Sequence, residues 1–215
     1  MNMRDVGNLD MVAKPKTAQD TETKSQILAS GGAIAGFAVP EKNIGQMGIV
    51  DGMKVADFGA GSGGYTFLLS NQVGASGHVY AVEVQQDLLR RLKNEAERRG
   101  CKNVDIIWGD FEERNGSKIA SDLLDVVLLS NTLFQLDDAR GAVREALRVL
   151  KPGGSLVVIE WSDSFGGIGP EKSAIVTAET VRHMAQDIGF TSNREFEAGA
   201  HHYGLVFIKP RTPAV

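Results

Sequence analysis

From residue 53 onward, short apolar runs alternate with stretches whose apolar residues recur at helical spacing. Residues 53–58, 77–84, 104–108, 125–130 and 155–161 are compact runs rich in Val, Ile, Leu and Ala. Runs of that length, apolar at nearly every position, predict strands covered on both faces. Between them, residues 65–73, 85–99 and 137–149 predict helices. Leu88, Leu89, Leu92 and Ala96 mark the inward stripe of the second, and Ala142, Val143, Ala146, Leu147 and Leu150 that of the third. Gly100 is a helix stop, and Lys151-Pro-Gly-Gly154 a sharp stop and turn. Thr177 is placed to cap a helix over 178–188, with Glu179 in its first turn and Gly189 after its end. Upstream, 40–50 predicts a helix with Ile44, Met47 and Ile49 inward.

Strands alternating with helices predict a doubly wound parallel sheet. Two further strands, 191–198 and 202–209, are joined by only Gly199-Ala200 and their neighbours. A parallel crossover needs a dozen residues or more, so the last strand must run antiparallel. The expected fold is α/β: a Rossmann-like, doubly wound, seven-stranded sheet, mostly parallel, with an antiparallel strand near the C-terminus. Residues 1–23 carry no period and are expected to form a mobile tail. A helical cap is expected over 24–50, a single domain over 51–210, and a tail over 211–215.

Composition narrows the picture only modestly. The chain has 215 residues, 42% apolar and 23% charged, and a formal net charge of −4. The acidic balance argues against a broad nucleic-acid footprint. One cysteine, Cys101, excludes an intrachain disulfide and a cysteine metal cluster, and no metal site is expected. No run is apolar for long enough to predict a membrane-spanning helix, and a cytoplasmic location is the expectation.

The chemistry concentrates in Asp57-Phe-Gly-Ala-Gly-Ser-Gly-Gly64. Strand, glycine turn and helix N-terminus together form a cradle for a nucleotide-like ligand. Gly59, Gly61 and Gly64 also satisfy G-x-G-x-x-G, which leaves a dinucleotide open at this point. Glu83 ends the second strand about 20 residues on, where the acidic partner of a ribose is expected.

The motifs taken together resemble those of class I S-adenosylmethionine-dependent methyltransferases: the glycine turn, Glu83, Gly109-Asp110 and Leu150-Lys-Pro-Gly-Gly154, in this order and spacing. Ile159-Glu-Trp-Ser, Gly169-Pro170 and Ile188-Gly-Phe190 make the chain most similar to the small quinone-biosynthesis and arsenite methyltransferases. Weaker features around 73–83 are similar to fibrillarin. The resemblance implies S-adenosylmethionine as cofactor. Glu83 would then hold the ribose hydroxyls and Asp110 the adenine amine. Gly59 and Gly61 would lie against the methionine part, and Asp57 would support the loop or the ammonium. Phe37, Ala60, Gly63, Val84, Phe111, Ser130 and Asn131 complete the implied cofactor contacts. A pocket lined by three carboxylates suits a sulfonium and an ammonium and repels a pyrophosphate.

The acceptor is expected to be a small molecule. The loop Ser130-Asn-Thr-Leu-Phe134 lacks the Asn/Asp-Pro-Pro-aromatic motif of amide and adenine N-methyltransferases. A single cysteine argues against arsenite chemistry. Asn131, His201 and His202 are the candidate acceptor-facing groups. Asp137-Asp138 are expected to cap a helix rather than hold a metal. An RNA or protein methyltransferase, a non-catalytic cofactor-binding protein and a nicotinamide oxidoreductase are the alternatives; Asp110 and the final hairpin count against the last.

Overall fold

In the computed structural model, residues 38–164 and 169–211 are described. Phe37, the expected tail over 1–23, the first part of the expected cap and the end residues 212–215 lie outside them. The described elements run in the order α1 (Pro40–Ile44), β1 (Lys54–Phe58), α2 (Thr66–Val73), β2 (His78–Glu83), α3 (Gln86–Arg99) and β3 (Val104–Trp108). They continue with β4 (Leu124–Ser130), α4 (Ala139–Val149), β5 (Leu150–Trp161), α5 (Ala178–Ile188), β6 (Thr191–Gly199) and β7 (His202–Ile208). Short 3₁₀ turns lie at Leu133–Gln135 and Lys172–Ala174. No helix among the described residues is long and apolar enough to cross a membrane.

The strands form one sheet in the order β3-β2-β1-β4-β5-β7-β6. Neighbours from β3 to β5 pair in parallel; β7 is antiparallel to both β5 and β6. The chain winds outward from β1 in one direction through β2 and β3, then returns to β4 and winds the other way. The carboxyl ends of β1 and β4 therefore flank the point where the winding reverses, and a crevice opens there in such sheets.

Successive strand residues point to opposite faces, and each face has its own core. Val55, Val79, Val126, Leu128, Val157 and Ile159 pack with Ile44, Met47, Tyr65, Leu69 and Val73 from the α1–α2 side. Phe67, Leu92, Ala96 and Ala81 extend that layer under α3. Ala56, Phe58, Val127 and Leu129 pack against Ala142, Val143, Ala146, Val181 and Ala185 of α4 and α5 on the other face. Each such Val or Leu contributes about 1.5–3 kcal/mol when fully buried.

Three local expectations are revised. The helix expected over 40–50 ends at Ile44, because the chain leaves it through Gly45 and reaches Gly48 at φ 70°. Ile44, Met47 and Ile49 still face inward, carried by turns. Helix α4 begins at Ala139, not at 137, because the Asp138 side chain accepts from Gly141 N at 2.8 Å and so ends the non-helical approach. The 151–154 segment, expected as a sharp stop and turn after the helix, does follow the helix end at Val149 but lies inside β5 as a bulge. Leu150 pairs with Leu124, and the ladder resumes at Ser155 opposite Val126. Pro152 and Gly153, with φ 87° at the glycine, occupy the bulge, where a missing N–H and a left-handed residue are tolerated.

Candidate active site

The glycine turn crosses the carboxyl ends of β1 and β2. Gly63 (φ 93°) is there for packing, since a Cβ would come within 2.3 Å of Phe67 and 2.6 Å of Leu92. Gly61 (φ 56°) differs: a Cβ there would meet nothing nearer than the Gly59 oxygen at 3.9 Å, so the turn faces open space at this point. That open backbone is where a ligand can approach.

Two carboxylates brace the turn from below. Asp57 is buried at the end of β1 and accepts from the Thr66 hydroxyl at 2.6 Å, which ties the strand end to the first turn of α2. Burial raises its pKa to about 6; the Thr66 bond opposes the rise and the neighbouring Glu83 charge adds to it. Glu83, expected to line the pocket and hold the ribose hydroxyls, is only 4% exposed. Its Oε2 accepts from Gly61 N at 3.0 Å, and its Oε1 accepts from Val84 N at 2.9 Å and Gln85 N at 2.8 Å. A carboxylate offers about four lone-pair sites, so one acceptor position remains beside the open face of Gly61.

The third carboxylate, Asp110, is exposed just beyond β3, and its Oδ1 accepts from Glu112 N at 3.0 Å. Its loop is held from underneath by a buried side chain on α4. Glu145 accepts from Asn115 N at 3.0 Å, from Ser117 N at 3.2 Å and from the Ser117 hydroxyl at 2.5 Å. Burial alone would raise the Glu145 pKa, but hydrogen bonds from Arg148 and Ser117 bring it below the usual range. Val84 and Trp108 are exposed side by side on this rim, with the Trp108 indole N–H donating to Val84 O at 3.1 Å. Among the other implied contacts, Ala60 and Phe111 are buried. The Phe111 ring is spent on Phe58, at 5.0 Å between centroids, and leaves only backbone to offer a ligand.

Across the crevice, Ser130 and Asn131 leave the end of β4. Asn131 adopts φ 53°, its N–H donates to Ile159 O at 2.8 Å, and its side-chain oxygen is buried without a partner. Glu160, fully buried near the end of β5, fixes this loop. Its carboxylate accepts from Leu133 N at 2.9 Å and Trp161 N at 3.0 Å. Burial raises its pKa to about 7, against the pull of backbone N–H groups at 161 and 132–134. On the α1 face, Asn43 donates to both Tyr65 Oη and Ala198 O at 2.9 Å, joining α1, α2 and the end of β6.

The β6–β7 turn brings its two histidines to the same edge in different environments. His202 is 4% exposed, its ring 4.2 Å from that of Trp161, and neither ring nitrogen has a hydrogen-bond partner. Burial lowers its pKa to about 4, with His201 adding to the effect. His201 Nδ1 lies 2.8 Å from Asp163 Oδ1, and Ser162 N donates to His201 O at 2.9 Å.

The structure thus brings Asp57, Gly59, Gly61, Gly63, Glu83, Val84, Gly109, Asp110, Ser130, Asn131, His201 and His202 to one edge of the sheet. Glu160, Glu145, Asn43 and Asp163 were not anticipated. Glu160 alone left a local signal, a carboxylate inside an otherwise apolar strand; the others act through partners far away in sequence.

A doubly wound sheet with a carboxylate-braced glycine turn at its switch point defines a protein built to hold a nucleoside-bearing ligand. A family model described as a methyltransferase domain matches residues 49–193. The chain is 38% identical over 113 residues to an arsenite methyltransferase of Aquipseudomonas alcaligenes, covering 50% of this chain and 32% of that protein. It is 34% identical over 116 residues to the ubiquinone/menaquinone biosynthesis C-methyltransferase UbiE of Idiomarina loihiensis, covering 54% and 45%. A solved SAM-dependent methyltransferase from Aquifex aeolicus superposes with a TM-score of 0.78 at 26% identity, over 87% of this chain and 97% of that one. The chain spans roughly a third to a half of the curated relatives it matches. It belongs to the methyltransferase domain family, in the class that uses S-adenosylmethionine.

Proposed function

We propose that the protein transfers a methyl group from S-adenosylmethionine to a small-molecule acceptor held over the carboxyl ends of β4 and β5. The observation that carries this reading is the open glycine turn ringed by carboxylates at the ends of β1, β2 and β3. The residues fit the cofactor: the free lone pair of Glu83 suits a ribose hydroxyl, and Asp110 suits an exocyclic amine. The charge of Asp57 lies under the turn where the ammonium and sulfonium would sit. The rim formed by Val84 and Trp108 offers apolar surface to a base. When bound, the cofactor supplies an electrophilic methyl group on an excellent leaving group. The protein's own task is to align the acceptor in line and keep water away. Asn131, with its unpartnered oxygen, is the group best placed on the acceptor side. The acidic balance favours a small-molecule acceptor over a nucleic acid, and the composition favours a cytoplasmic setting.

Thermal unfolding with S-adenosylmethionine, S-adenosylhomocysteine and NAD, side by side, tests this. A ligand that binds only the native state at about 100 times its Kd adds roughly 2.7 kcal/mol. Both sulfur ligands should raise Tm and NAD should not. Glu83→Ala should weaken S-adenosylhomocysteine by about tenfold to a hundredfold, the worth of a hydrogen bond to a charged group. Equal stabilisation by NAD, or none by either sulfur ligand, would overturn the reading.

A further inference from the structure

We propose that β3 is the interface of a homodimer: two copies of the chain pair antiparallel through the outer edge of this strand, about a twofold axis at Ile106, and join their sheets into one.

The two ends of the sheet are built differently. At one end, β6 departs from the register of β7 twice, between Ser192 and Arg194 and between Glu197 and Gly199. It carries Arg194, Glu195 and Glu197 along an exposed strand. Irregular pairing and charge are how an edge strand is kept from pairing further. At the other end, β3 has neither proline nor lysine and keeps an unbroken register with β2. Its residues are apolar except Asp105, whose carboxylate lies 3.0 Å from His78 Nε2 of β2. Trp108 is 56% exposed, even with Lys118 over its ring at 5.1 Å.

The hydrogen bonds fix which backbone groups are open. Val79 N donates to Asn103 O at 2.8 Å, and Gly109 N donates to Glu83 O at 3.2 Å. Alternate residues of a strand face the same neighbour, so residues 103, 105, 107 and 109 are spent on β2. The N–H and C=O groups of Val104, Ile106 and Trp108 point away from it, and among the described residues nothing pairs with them.

A second copy fits this edge in one register. Residues that exchange hydrogen bonds across an antiparallel pair must both point outward. Centring the pair on Ile106 sets Val104 opposite Trp108, Ile106 opposite Ile106 and Trp108 opposite Val104, so both copies use all three open residues. A slip of one residue opposes them to residues already spent on β2. A slip of two sets one of them opposite a residue outside the strand. The centred register also sets Lys102, just before β3, opposite Asp110, just after it. Both are exposed, and among the described residues neither has an ion pair. Twofold symmetry makes each contact twice, so a lysine–aspartate contact closes either end of the strand pair. The Trp108–Val104 pairs are of the aromatic and β-branched kind that stabilises neighbouring strands. On the methyltransferase reading, Asp110 stands at the adenine end of the cofactor, so each copy lends a lysine to the rim of the other's site. One strand pair makes a small interface, and the dimer therefore dissociates in the micromolar range.

Sedimentation equilibrium of the full chain tests the association. The average mass should rise from monomer to dimer across the micromolar range. Lys102→Asp and Asp110→Lys change exposed positions and should keep the wild-type Tm. Each alone should weaken the dimer by roughly tenfold or more, because like charges then face each other. Mixed in equal amounts, the two variants should recover a dimer, since every facing pair is again of opposite sign. Amide hydrogen exchange reads the strand itself. The N–H groups of Ile106 and Trp108 should exchange slowly in concentrated protein and fast on dilution, while those of Asp105 and Ile107 stay protected in both. A monomer at every concentration, a dimer indifferent to the charge reversals, or variants that do not restore one another would overturn the inference. So would protection of Ile106 that persists at every dilution, which would put another part of the same chain on this edge. None of these readouts uses the cofactor, so they stand apart from the methyltransferase reading.

Discussion

Asp57 holds a proton more tightly than a carboxylate in water does, and that has a sign that binding can read. Its pKa rises from 3.8 to about 6 on folding, so the folded chain keeps a proton the unfolded chain has lost. The associated stability is greatest below pH 3.8 and declines as pH rises toward 6. A cationic ligand works the other way, because it favours the ionised form. S-adenosylmethionine affinity should therefore climb between about pH 5 and pH 7 and then level off, and Asp57→Asn should flatten that slope while keeping an acceptor for Thr66. Calorimetric titration across this range checks it; an equal slope in the Asn variant would put the titration elsewhere. At this scale the sequence was informative about position and silent about environment. Strand-end spacing located Glu83, yet its burial comes from three backbone N–H groups that converge only once the glycine turn has closed.

The helix ends were the most legible elements, because capping is local chemistry. Thr177 accepts from Thr180 N at 3.2 Å, and Gly189 leaves α5 in the left-handed region. Asp138 makes the shorter cap bond and adds a negative charge at the α4 N-terminus. Asp138→Ala should cost about 1 kcal/mol, a fall in Tm of roughly 2–4 °C for a domain of this size. Thr177→Ala should cost less; denaturant melts of the two variants decide the order. The loop after β3 had no such signature. Its shape is imposed by Glu145, 28 and 30 residues from Ser117 and Asn115, and no local period announces a contact of that range. The α1 segment misled for the opposite reason: its apolar spacing is real, but Gly45 and Gly48 deliver it through turns.

For the molecule as a whole, alternation of strand and helix with one short final connection was enough to predict a parallel sheet ending in an antiparallel strand. It could not say where that strand inserts, because β7 meets β6 through a short turn but finds β5 only by pairing across the whole stretch between Trp161 and His202. The burial of His202 beside β5 follows from that insertion. A histidine kept neutral, with its pKa lowered from 6.5 to about 4, contributes stability that is present above 6.5 and lost as pH falls through 4. His202→Phe, which preserves the ring contact with Trp161, should make the Tm less sensitive to acid between pH 6.5 and 4. Parallel Tm–pH curves for the variant and the wild type would remove His202 from the acid response.

The insertion of β7 also orders events during synthesis. β5 is complete at Trp161, yet the strand that covers its free edge does not begin until His202. Until then, a growing chain shows a long apolar strand with a row of unsatisfied N–H and C=O groups, a template for pairing with other chains. β6 emerges in between and pairs in the finished sheet only with β7. A ribosome that stalls before β7 therefore releases an adhesive intermediate, not a slightly shortened domain, and the final seven-residue strand acts as the molecule's seal.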